Sequence, residues 1–189
     1  VDVVILVEPA SSPVQSLAKL GEFAPFKIAS DPLSPIPIFS RLEGAKISTL
    51  LNYHRWQIVS LHPAECTQLL FVAAHLPSKT NANDFDQLNA AIELKRDITS
   101  WEERLGHNRT VMIGDMNMNP FEPGISMNQG FNATATREVA RRETRTIQRR
   151  EYDLFYNPMW SHFGDRTPGP PGSYYRAAAQ AINYHWNIY

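Results

Sequence analysis

Thr110-Val111-Met112-Ile113-Gly114-Asp115-Met116-Asn117 is the stretch on which the fold turns. Thr110 to Ile113 is a short apolar run that predicts a strand, and Gly114-Asp115 ends it. If the backbone stays extended past the glycine, Asp115 and Asn117 project to the same side, because strand side chains alternate with period two. A carboxylate and an amide would then face one cavity at the strand's C-terminal end, where α/β proteins commonly bind ligands. Such a pair can position a water and hold a phosphate oxygen. Gly, Asp and Asn are also ordinary turn residues, so a plain strand-to-turn transition fits the same tetrapeptide.

Outward from this stretch, two more apolar strands close on a polar group. Asp2 to Glu8 is an apolar run stopped by Pro9, the pattern of a strand buried on both faces. Glu8 at its end is costly to bury without a partner or a metal. Mg²⁺ takes one or two carboxylates and fills its shell with water and substrate phosphates, whereas an edge glutamate that reaches solvent needs neither. Leu69 to His75 is the other strand, followed by a Pro77-Ser78-Lys79 loop. His75 could donate to a phosphate oxygen or assist a leaving group, and a structural histidine fits the same position.

The remaining chain supplies the frame. Ser11 to Phe23 can hold a short helix, Asp31 to Pro37 reads as a loop, and Ile36–Arg41, Ala45–Asn52 and Trp56–His62 read as strands. Asn83 to Leu105 is the best helix, with Phe85, Leu88, Ile92, Ile98, Trp101 and Leu105 as its apolar stripe and Gly106 just beyond. Gly164 to Gly172 reads as a loop, and Ser173–Arg176 and Ile182–Tyr189 as the last strands. There is no internal repeat and no dividing linker, so residues 1–189 read as one mixed α/β layered domain.

Composition narrows the function. The 189 residues are 43% hydrophobic and 20% charged, the balance of a folded globular chain. No apolar run is long enough to span a bilayer. Cys66 is the only cysteine, which excludes an internal disulfide and a cysteine-built metal site and leans towards a reducing, cytoplasmic setting. The net charge of −1 gives no global field for a polyanion, so any such site must be local. Arg137, Arg141, Arg142, Arg145, Arg149 and Arg150 form one such cluster, with Tyr152, Phe155, Tyr156, Trp160, Tyr174 and Tyr175 nearby to stack on bases. A solvated helix beside core aromatics is the plainer reading of the same stretch. Gly-x-Ser-x-Gly, a phosphate-binding Gly-rich loop with Lys-Ser/Thr, and zinc-type histidine pairs are all lacking.

Taken in order, Val4-Ile5-Leu6-Val7-Glu8, Ala73-Ala74-His75-Leu76 and Ile113-Gly114-Asp115-Met116-Asn117 resemble the motifs of the endonuclease/exonuclease/phosphatase superfamily, the deoxyribonuclease I-like fold. Ile36-Pro37-Ile38-Phe39-Ser40-Arg41 is similar to the family's strand between the first two. The resemblance implies a four-layer αββα sandwich of two mixed sheets flanked by helices. It also implies a Mg²⁺- or Mn²⁺-dependent phosphoester hydrolase. Glu8 would be a metal ligand, Asp115 would orient or deprotonate the attacking water, Asn117 would hold Asp115 and the phosphate, and His75 would contact the scissile phosphate. A nuclease is the leading expectation, with Arg141, Arg145 and Arg149 on nucleic acid. A small-molecule or lipid-headgroup phosphoesterase, or a non-catalytic binding member, stands beside it. The family's opening asparagine strand and closing Asp-His pair have no counterpart here, since His185 lacks a preceding aspartate. The chain is therefore expected to be the larger part of such a domain, truncated at both ends.

Overall fold

The computed structural model describes residues 1–162 and the backbone of strands 174–176 and 185–187. The Gly164–Gly172 loop, the rest of the last two expected strands and the side chains of Tyr174, Tyr175 and His185 lie outside the described residues. The fold is mixed α/β with several sheets, as expected. It divides into two compact units: Val1–Leu76 with Arg96–Asp115, and Pro77–Lys95 with Met116–Tyr189.

In the first unit, β1 (Val3–Ile5), β2 (Lys27–Ile28) and β3 (Ile38–Ser40) make an antiparallel sheet of order β1-β3-β2. A second sheet has order β4-β5-β6-β7, from β4 (Lys46–Asn52), β5 (Trp56–His62), β6 (Leu69–His75) and β7 (Thr110–Asp115). The sheets meet through Ile38 of β3, Ile36 just before it, and Val59, Leu61, Phe71 and Ala73 from the second, with Val3, Ile5 and Ile47 against them. These residues alternate along β5 and β6, as period-two pleating requires when one face meets another sheet. The opposite face of β5 meets the long helix α2 (Asp84–Leu105), where the Trp56 indole N–H donates to Asp97 Oδ2 at 2.8 Å. Helix α1 (Pro13–Gly21) starts at a capping box: Ser12 Oγ accepts from the Gln15 N–H and Gln15 Oε1 from the Ser12 N–H. Proline at its first turn is preorganised for that role.

The first strand differs from expectation. β1 covers only Val3–Ile5 and is half-buried, because it forms an edge of its sheet and pairs with β3 alone. Glu8 lies beyond the strand in left-handed backbone, φ 51°, and is exposed. Solvent, not burial, is its surrounding.

β6 and β7 are parallel, so α2 lies in the crossover between them. α2 stops at Leu105, and Gly106 follows at φ 69°, the left-handed residue that ends many helices. His107 then keeps its ring Nε2 buried without a hydrogen-bond partner. Burial first, and the Arg109 charge second, hold its pKa below the ordinary 6.5. The folded state therefore resists protonation there, and stability is lost as pH falls from 6.5 through the lowered folded value. The urea midpoint should fall between pH 7.5 and pH 5, and His107→Gln should lessen that fall; an equal fall in the variant would rule His107 out as a source.

The second unit takes the first half of α2. Asn83 Oδ1 accepts from the Phe85 and Asp86 N–H groups at 2.9 and 3.1 Å, and Asp86 Oδ2 accepts from Asn83 N–H at 3.0 Å. Phe85, expected on the apolar stripe, is exposed. The buried side here is instead Gln87, Ala90, Ala91 and Leu94, a turn's spacing that includes a polar residue. There follow α3 (Pro123–Ser126), β8 (Ala133–Thr134), α4 (Arg137–Ala140), β9 (Thr144–Ile147), β10 (Arg150–Asp153), β11 (Phe155–Tyr156) and a 3₁₀ turn at Pro158–His162. β8 and β11 pair in parallel, and β9–β10 form a hairpin. β12 (Tyr174–Arg176) and β13 (His185–Asn187) are antiparallel. The arginine stretch is thus one helical turn and a hairpin rather than a solvated helix. Among the described residues no helix is long and apolar enough to cross a membrane.

Candidate active site

Parallel pairing decides where the polar strand ends fall. His75 is the register partner of Asp115, so β6 and β7 deliver an imidazole and a carboxylate side by side at one sheet edge. The ladder runs past both: the His75 N–H donates to the Arg55 carbonyl at 2.8 Å and the Leu76 N–H to the Asp115 carbonyl at 2.9 Å. One residue before Asp115, Gly114 has φ 152°, and a Cβ there would lie 1.9 Å from the Ala74 carbonyl oxygen. Only glycine lets β7 approach β6 this closely just ahead of the carboxylate.

Glu8 joins this edge from the first sheet. Its Oε1 lies 3.5 Å from His75 Nε2, with the imidazole 23% exposed and the carboxylate 78% exposed. Within the first unit, Glu8 and His75 thus meet through their side chains, and His75 and Asp115 are neighbours by strand register. Among the described residues no group of three or more His, Cys, Asp or Glu is placed to hold a metal ion. An exposed carboxylate at a strand-end edge suits Mg²⁺ or Mn²⁺, which keep water and substrate oxygens in most positions. Glu8 is the residue that would hold such an ion.

Asn117 is placed differently from expectation. β7 ends at Asp115, and Asn117 has φ 52°, so the extended backbone that would align the two side chains is absent. Asn117 is buried in the second unit, with its carbonyl accepting from Gln87 Nε2 at 2.7 Å. The same amide donates to the Pro77 carbonyl at 2.8 Å. Gln87 thereby ties the segment that leaves β6 to the segment that leaves β7. Sequence reading missed it because a polar residue on a helix is ordinarily solvated; its one signal is its place in register with Ala91 and Leu94. Gln87→Leu removes both donors and leaves two carbonyls wanting, at a cost of about 2 kcal/mol or more. A urea titration checks this, and an unchanged midpoint would show that the carbonyls find other donors.

A second polar group sits nearby in the same unit. Lys79 Nζ lies 2.5 Å from Glu122 Oε1, which also accepts from Asn119 Nδ2 at 2.8 Å. This fixes the Pro77-Ser78-Lys79 loop to the start of α3. Of the arginines singled out, Arg141 and Arg149 are exposed, and Arg145 donates to Asn132 Oδ1. Of the aromatic residues, Tyr156 is 39% exposed with the Arg137 guanidinium over its ring, while Phe155 packs edge-on against Phe131.

With this geometry in place, comparison with solved structures finds the human Nocturnin catalytic domain with bound sulfate at 15% identity and TM-score 0.48, over 68% of this chain and 57% of that one. ANGEL2, described as a 2′,3′-cyclic phosphatase, matches at 18% identity and TM-score 0.45, over 66% of this chain and 42% of that one. A beta toxin from Staphylococcus aureus matches at 13% identity and TM-score 0.47, over 66% and 56%. These structures share the endonuclease/exonuclease/phosphatase fold. The chain spans about half the length of the solved structures it matches. No family model and no curated protein matches the chain.

Proposed function

We propose that this chain carries the site of a metal-dependent phosphoester hydrolase, and that its substrate is a nucleic acid phosphodiester. The observation that supports the reading is the Glu8–His75 contact at the sheet edge where Asp115 is the register partner of His75. A divalent ion on Glu8 would neutralise charge developing on the phosphoryl group. Asp115 orients the attacking water and accepts its proton. His75, with its Nε2 towards the same edge as Glu8, donates to a phosphate oxygen or to the departing oxygen. In this reading Arg141 and Arg149, both exposed, contact further phosphates of the nucleic acid.

The test is hydrolysis of plasmid DNA, single-stranded DNA, RNA and bis(p-nitrophenyl) phosphate with Mg²⁺ or Mn²⁺, each repeated in EDTA. Metal-dependent cleavage of a nucleic acid supports the full reading. Turnover of the small diester alone would move the substrate to small phosphoesters. No turnover of any substrate by the folded protein would leave a binding module.

A further inference from the structure

The β9–β10 hairpin separates its charges by face. Directly opposed residues of an antiparallel pair share a face, as do alternate residues along a strand. Arg145 opposes Tyr152 and Ile147 opposes Arg150, so these residues lie on one face. Thr144, Thr146, Glu151 and Asp153 lie on the other. The arginines of the ribbon are thus together, and the acids are turned away from them.

The tip adds a cation where the backbone resists one. Gln148 and Arg149 have φ 50° and 66°, both in the left-handed region that a two-residue hairpin turn requires. Asn-Gly is the low-cost choice for such a turn, and a long side chain held there is the sort of local strain found at functional sites. Arg149 and Arg150 are both exposed.

The ribbon is also braced. A free two-stranded hairpin is only marginally stable in water. Here Asn132, 1% exposed, accepts from Arg145 through Oδ1 and donates through Nδ2 to the Asp153 carbonyl at 2.8 Å. The Leu154 N–H donates to the Glu143 carbonyl at 2.8 Å and closes the base. Arg145 thus serves the frame, while Arg149 and Arg150 stand at the solvent end.

We propose that this hairpin is a nucleic-acid arm, in which Arg149 and Arg150 contact the sugar-phosphate backbone. The inference rests on the reading of the substrate as a nucleic acid, but not on hydrolysis. A guanidinium matches phosphate in shape and charge, and a two-stranded ribbon has a width that the major groove of a duplex admits. An anionic membrane is the other polyanion that arginines meet. Membrane-binding elements insert large apolar side chains, whereas the tip offers Gln148 and Arg149, and Ile147 is half-buried.

The test is fluorescence anisotropy in EDTA with a labelled 30-mer, single-stranded and duplex, across a salt series. Arg149→Gln/Arg150→Gln should weaken binding about tenfold and lower the log K against log salt slope by about 1.5 to 2, the value for two lost phosphate contacts. Lys19→Gln/Lys46→Gln removes the same net charge elsewhere and should change affinity less than twofold. Equal losses in the two variants, an unchanged slope in the arginine variant, or no binding by the unaltered chain would each overturn the proposal. So would retention on phosphatidylserine vesicles without retention on either oligonucleotide. Thermal midpoints within a few degrees of the unaltered chain exclude misfolding. Hydrolysis of bis(p-nitrophenyl) phosphate by the unaltered chain is scored separately. Its absence would remove the hydrolase reading and leave the arm to stand or fall on anisotropy.

Discussion

Asp115→Asn is expected to lower phosphodiester turnover by about 10³-fold, within the range that a positioned proton acceptor supplies. The amide has nearly the carboxylate's size and shape, so it can keep its place beside His75 in the β6–β7 register. What it loses is the charge and the ability to take a proton from water. The fold should be little changed, and a thermal midpoint close to that of the unaltered chain is the accompanying control. The loss should fall mainly on kcat, since a group that acts on the water contributes little to holding the ground-state substrate. Turnover within a few-fold of the unaltered chain would remove Asp115 from the chemistry.

Gly114→Ala should produce the largest loss of stability. A Cβ at this position would lie 1.9 Å from the Ala74 carbonyl oxygen and 2.8 Å from the Ala74 backbone nitrogen. These are backbone atoms within a parallel ladder, and they cannot rotate away as a side chain would. Backbone strain at φ 152° costs about 1–3 kcal/mol, and forcing apart a well-packed region adds about 1–3 kcal/mol. The urea midpoint should fall accordingly, or the protein should be recovered only in insoluble form. Because the strain falls between Ala74 and the residue preceding Asp115, any folded remainder should also lose turnover. A midpoint matching that of the unaltered chain would show that β7 does not approach β6 as closely as described.

The sheet edge was legible in the sequence because strands with long apolar runs leave few alternatives. Trp56–His62 and Leu69–His75 are found as read, and the helix between β6 and β7 was plain from its length and periodicity. The sequence places His75 and Asp115 each at the C-terminal end of an apolar strand, and the parallel pairing of β6 with β7 brings those two ends to one edge. Features set by local backbone were not legible. Glu8 and Asn117 both sit at positive φ, where alternation no longer predicts direction. The hairpin at Thr144–Asp153 carries neither Asn-Gly nor Asp-Gly at its turn, so its strands merged into what read as a run of charge. Gln87 was hidden for a different reason: its hydrogen bonds are to carbonyls distant in sequence, and no periodicity reports those.

The central claim, that Glu8, His75 and Asp115 share one metal-dependent site, is tested most directly by titrating Mn²⁺ into the isotopically labelled chain. The measurement is paramagnetic broadening of the His75 imidazole and of the Glu8 and Asp115 amides. Broadening of all three at low Mn²⁺, relieved by Mg²⁺ and lost in Glu8→Gln, is the predicted result. Broadening confined to other carboxylates, or unchanged by Glu8→Gln, would contradict it.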